Sequence, residues 1–182
     1  MSRIIRLLCF VAAFAALVIP TSCEKDAFDA FLEKESYSPK EGMIWDINPV
    51  VLSFVVSDVQ GKNLFDESTP DNWLSGPITA TFCSNTYEWP RVNTKAYLAV
   101  IKGFYIYPQS YTGSNEVTLN FGELDGTEKW DSDLIVTWPD NSKDIIRVQH
   151  AIRWDENGLP DAYTGFKVNG HALDGGIIRL TK

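Results

Sequence analysis

Two groups of residues in this 182-residue chain have types and spacings that could do chemistry. The first is the run Asp125-Gly126-Thr127-Glu128-Lys129-Trp130-Asp131-Ser132-Asp133, which puts the carboxylates of Asp125, Glu128, Asp131 and Asp133 within nine residues. Hard oxygen ligands at that density are what calcium requires. The run lacks EF-hand spacing, however, and a solvated hairpin loop with acidic tips accounts for it more simply. Asp58, Asp66 and Asp71, around the Gly61 turn, are read the same way. The second group is aromatic. Trp45, Trp73, Trp89 and Trp130 fall in loops or at strand ends, beside Asp, Asn or Glu. Stacking faces next to hydroxyl-bonding groups are how proteins grip sugar rings, which makes Trp73, Trp89 and Trp130 candidate glycan-stacking residues. Packing of large rings at the core and edges of a β-structure is the competing account, and it weighs more. Trp138 and Trp154 lie on apolar faces and are expected in the core. Tyr105, Tyr107 and Tyr111 form another aromatic strip with the same two readings.

Catalytic spacings are scarce. His150 lies on one strand face with Ile146, Val148, Ile152 and Trp154, which suits a hydrogen-bonded core or boundary histidine better than a general base. No G-x-S-x-G elbow sets a nucleophile and no Gly-rich loop opens a helix for phosphate. His150 and His171 are the only histidines, so a zinc site would need several carboxylates. No catalytic residue and no confident metal site are assigned, and the expectation is a non-enzymatic protein.

Before these residues lies a segment that reads as an address. Arg3 and Arg6 precede an unbroken apolar run of 13 residues, 7–19, which is shorter than the ~20 residues of a membrane-spanning helix. That is the layout of a cleaved signal peptide. Ile19-Pro20-Thr21-Ser22-Cys23 resembles the lipobox of bacterial lipoproteins, with Pro20 where the motif prefers Leu. The resemblance implies cleavage before Cys23, a diacylglycerol on its thiol, and attachment to the outer membrane. Lys25-Asp26, with Asp29 behind, resembles the acidic export signal that sends Bacteroidetes lipoproteins to the cell surface. Removing residues 1–22 leaves 160 residues, the size of one domain. It also leaves 14 basic against 24 acidic residues, a formal charge of −10, which argues against nucleic acid and against a basic membrane patch. Cys9 leaves with the signal and Cys23 takes the lipid, so Cys83 has no partner for an internal disulfide. A buried or half-buried structural thiol is expected there.

The elements that must position the candidate residues read as strand and turn. Residues 23–41 are polar, with Phe28, Phe31 and Leu32 at helical spacing, and are expected to form a tether in preference to a short helical turn. Val50–Ser57 is apolar on both faces and should be a central strand. A turn at 58–61, a short strand at 62–65 and a loop at 66–76 follow. Alternation at 78–83 puts Cys83 on a polar face, and Gly103 marks a bend within a strand at 95–107. Residues 116–121 read as a strand with one wet face. The segments 134–138 and 144–154 read as a hairpin through Pro139, with tight turns at Asn157-Gly158 and Asn169-Gly170 and a last strand at 177–181. The expected fold is all-β: a single antiparallel, immunoglobulin-like β-sandwich over 42–182.

Three segments of this body carry a wider resemblance. Residues 51–58 with Gly61-Lys62-Asn63-Leu64-Phe65-Asp66, then Phe121-Gly122-Glu123-Leu124-Asp125-Gly126, then Trp138 to Asp144 resemble the strand-and-turn motifs of small uncharacterised Bacteroidetes lipoproteins. The resemblance implies a lipid-anchored sandwich and brings no activity with it. The functional expectation is therefore an envelope lipoprotein that binds a ligand or glycan, with assembly through strand pairing as the alternative and an envelope hydrolase less favoured.

Overall fold

The computed structural model describes residues 26–90, 103–106, 116–173 and 176–182. Among these the protein is all-β apart from one short helix and a 3₁₀ turn. A four-stranded sheet has the order β10-β1-β5-β4, built from β1 (Val50–Ser57), β4 (Gly103–Ile106), β5 (Leu119–Leu124) and β10 (Ile177–Thr181). A six-stranded sheet has the order β3-β2-β6-β7-β8-β9. Its strands are β2 (Ile78–Phe82), β3 (Asn85–Trp89), β6 (Trp130–Thr137), β7 (Lys143–Trp154), β8 (Pro160–Val168) and β9 (His171–Ala172). Leu52, Phe54, Val56, Phe121 and Ile178 of the first sheet share one core with Ile78, Ala80, Leu134, Val136, Ile146 and Val148 of the second. The period-2 alternation of each strand sends these residues to the common face.

β1 lies between β10 and β5, the central position expected for it. Its pairing with β10 is parallel, from Ser53↔Ile177 to Ser57↔Thr181, so the antiparallel expectation fails at this one edge. β5 departs further from expectation. Thr118 and Asn120, assigned to a wet face, are 3% and 2% exposed. Asn120 Oδ1 accepts the Ser53 hydroxyl at 2.7 Å, which satisfies the buried amide from within the sheet.

The motif residues turn out to be structural. Asp58 Oδ1 accepts the amides of Gln60 and Lys62, closing the turn that brings Leu64 and Phe65 under the core. Residues 62–65 form no strand; Asn63 makes one bridge to Ser57 and binds the Val117 carbonyl through Nδ2. Trp138 Nε1 donates to buried Asp144 at 2.6 Å. The same carboxylate takes Lys182 Nζ at 2.7 Å and Asn169 Nδ2 at 2.8 Å, tying the end of the chain to β7. Burial works to raise the Asp144 pKa, but the bonds from Lys182, Asn169 and Trp138 outweigh it and hold the carboxyl below its ordinary range.

The hairpin expectations over 130–170 hold: β6, β7 and β8 pair in sequence, with Asn169 and Gly170 both at positive φ in the last turn. The hairpin of β2 and β3 turns instead through Cys83 and Ser84, both at positive φ. Cys83 is thus an exposed turn residue, neither buried nor on a strand face. The region 95–102 and the residues Tyr107 and Tyr111 lie outside the described residues, as does Cys23. Tyr105 is buried in β4.

The expected tether is largely folded. Helix α1 (Ala27–Leu32) is capped by Asp26, whose carboxylate accepts the Phe28 amide at 3.3 Å. Phe28 and Phe31, one turn apart, pack on Tyr163 with ring centroids 5.3 and 5.7 Å away and are almost fully buried against Ala151. Two rings buried this way contribute ~1.5–3 kcal/mol each, which no six-residue helix could supply from propensity. Beyond it, the Tyr37 amide donates to Trp154 O at 3.0 Å and the Lys40 amide to Gly158 O at 3.1 Å.

Candidate functional site

At the end of the sandwich where β6 begins, the two sheets part around a cavity of about 640 Å³. Its walls come from the β2–β3 hairpin, from Gly103, from the end of β5 and the loop after it, and from Ile47 and Pro49 before β1. Tyr87 and Trp130, both half-buried, line it in front of Phe82 and Phe121. The rings brace one another: Trp130 and Phe82 centroids are 5.6 Å apart, and Tyr87 meets Phe121 edge-on at 5.2 Å. Glu123, Asp125 and Glu128 stand at the lip with the exposed Cys83 thiol.

Two glycines let the chain segments beside the cavity approach each other closely. At Gly122, φ is +139°, and a Cβ would come 2.7 Å from the Val50 carbonyl, so only glycine lets β5 pass the bulge opposite Val50 and Val51. At Gly126 a Cβ would come 2.1 Å from the Asn48 carbonyl. The two glycines thus let the 122–126 segment lie against the chain entering β1. The Gly126 carbonyl also accepts His150 Nε2 at 2.8 Å. Since a carbonyl only accepts, Nε2 is the donor, and Nδ1 is bridged to the Thr164 hydroxyl at 2.8 Å. His150 is buried with both nitrogens committed, matching the expected structural role.

The candidate stacking residues are not brought together. Trp130 lines the cavity, with its indole nitrogen donating to Asp125 O at 2.9 Å. Trp73 packs on Trp138 at 5.9 Å, and Trp89 donates to Leu74 O at 3.0 Å, both toward the opposite end of β6. Trp45 stacks on Trp154 at 5.8 Å. A single platform of Trp73, Trp89 and Trp130 is therefore excluded by strand length.

The acidic run separates too. β6 begins at Trp130, so Asp131 and Asp133 are strand residues on the outer sheet face, where Arg147 Nε and Nη1 reach them at 2.8 and 3.3 Å. Asp125 Oδ1 accepts the Thr127 amide and hydroxyl at 2.8 and 2.7 Å, an Asx turn that shapes the loop. Glu128 is exposed at the cavity lip. Asp125, Glu128, Asp131 and Asp133 do not converge, and among the described residues no three His, Cys, Asp or Glu side chains form a metal-sized group.

Sequence reasoning missed Tyr87, Phe82 and Phe121 as walls of a site. The available signal was the Phe121-Gly122-Glu123-Leu124-Asp125-Gly126 motif, read there as a turn. Comparison with protein-family models, with curated proteins and with solved structures finds no match to this chain.

Proposed function

We propose that this chain is a lipid-anchored, non-enzymatic binding protein of the bacterial outer membrane. In this reading Cys23 carries the lipid, and an immunoglobulin-like sandwich takes a glycan-like ligand at its open end. The observation that carries it is the cavity itself. Its volume lies within the ~300–1,000 Å³ of ligand pockets, it is walled by braced aromatic rings, and carboxylates stand at its lip. Rings offer faces to the C–H surface of a sugar while carboxylates accept its hydroxyls. A binding role is favoured over hydrolysis because the one buried histidine has both nitrogens engaged. The test is a glycan-array screen of the protein beside Tyr87→Ala and Glu128→Gln variants. Binding that weakens in both supports the reading, and binding indifferent to both, or none, rejects it.

A second reading, assembly by strand addition, draws on one feature of the six-stranded sheet. β9 pairs only with Lys167 and Val168, and the Leu173 amide donates to the Phe166 carbonyl, so among the described residues the outer edge of β8 from Pro160 to Gly165 has no strand beside it. Site-specific crosslinking from Asp161 on intact cells would capture a protein partner if this edge is used.

A further inference from the structure

We infer that the outer face of the six-stranded sheet, at α1, β7 and β8, lies directly against the lipid headgroups, so that the domain is held at the bilayer and not on a stalk. The inference rests on the proposed lipid at Cys23 and adds to it an orientation. Only Glu24 and Lys25 separate Cys23 from Asp26, a covalent reach of at most about 11 Å. Asp26 is not at the start of a free segment. Its carboxylate is paired with Lys167 of β8, accepts the Gln149 side chain at 3.5 Å and caps a helix whose two phenylalanines are buried on the sheet. Asp26, three residues from the proposed lipid, is thereby fastened to this face.

The chemistry of the face suits a headgroup layer. The protein as a whole is acidic, yet here Asp131 and Asp133 are paired with Arg147, Asp161 with Arg153, and Asp26 with Lys167. Lys34 and Lys129 extend beside them over the Phe31 and Phe28 rings, their ammonium groups 5.9 and 5.8 Å from the centroids. Exposed Leu32 and Ile145, 37% and 47% accessible, add apolar surface at the same face. Asp29 of α1 is exposed at the same face, and the ammonium groups of Lys34 and Lys129 offset its charge toward lipid phosphates.

The test uses the full lipidated protein, reconstituted into phosphatidylethanolamine–phosphatidylglycerol vesicles that contain a nitroxide-headgroup lipid as quencher. With Cys83→Ser as background, a fluorophore is placed through Ala30→Cys on the exposed side of α1, or through Thr181→Cys on the opposite sheet. Two packed layers put these labels ~20 Å apart along the membrane normal. Quenching is expected to be several-fold stronger at position 30 than at 181. Inserting about ten Gly and Ser residues between Lys25 and Asp26 should erase the contrast, since such a linker lets the domain wander. Equal quenching at both positions in protein that floats with the vesicles overturns the orientation while leaving the lipid anchor standing. Protein that floats no better than its Cys23→Ala variant overturns the anchor, and the orientation with it.

Discussion

Strand β6 has a tryptophan at each end, and the two meet opposite fates. Trp138, just past the last strand residue, is 1% exposed and surrounded by Phe54, Phe65 and Trp73 at centroid distances of 5.8, 6.1 and 5.9 Å. Its indole nitrogen is held by Asp144, which in turn holds Lys182 and Asn169. Trp130, ~26 Å away along the strand, is half-buried and fronts a cavity. Its indole nitrogen bonds only a loop carbonyl. One end is sealed by aromatic rings and a buried carboxylate, and the other holds a cavity beside segments that two glycines let pass closely. The closed end supplies stability, which leaves the open end free to keep a concave surface that a well-packed core would have filled.

The sharpest way to break this contrast is at the closed end. Trp138→Ala should cost ~3–5 kcal/mol in denaturant unfolding, the range for large aromatic truncations in a core. Asp144→Asn should follow at ~1–3 kcal/mol, because it weakens the acceptor for three donors without emptying the site. The same carboxyl predicts a pH dependence. Its folded pKa lies below the unfolded value, so its contribution is present above about pH 4 and is lost as pH falls through the folded pKa. Thermal melts of the wild type should therefore lose stability on acidification more steeply than melts of Asp144→Asn. At the open end, Trp130→Ala should cost only ~1–2 kcal/mol in stability, since the ring is partly exposed at the cavity. It should nonetheless weaken ligand binding about tenfold, as loss of one stacking face implies. Smallest of all, Glu128→Gln should leave unfolding within ~0.5 kcal/mol of wild type, and only a binding isotherm should register it.

What could be read from sequence follows the physical reach of each signal. Val50–Ser57 was legible because alternation over eight residues is a property of the strand alone. The Asn157-Gly158 and Asn169-Gly170 turns were legible because both carry residues that accept positive φ. The β2–β3 hairpin was not, since Cys83 and Ser84 are unusual hosts for that geometry and nothing local announces it. α1 displayed its Phe28 and Phe31 spacing, but six residues cannot hold a helix, and the Tyr163 and Ala151 that complete it lie over a hundred residues away. The acidic run misled for a related reason. Asp131 and Asp133 are close in sequence to Asp125, yet their partner, Arg147, comes from the neighbouring strand. The cavity combines residues from both sheets, so of its rings only Trp130 was singled out from sequence and the set could not be assembled.

A ligand taken up in the cavity should meet Trp130 and leave Trp138 untouched. The most direct measurement is a heteronuclear NMR titration of the six tryptophan indole N–H resonances with the strongest glycan from the array. The Trp130 indole resonance is expected to shift progressively with Trp138 unmoved. A titration that shifts Trp73 or Trp89 and leaves Trp130 in place would contradict it.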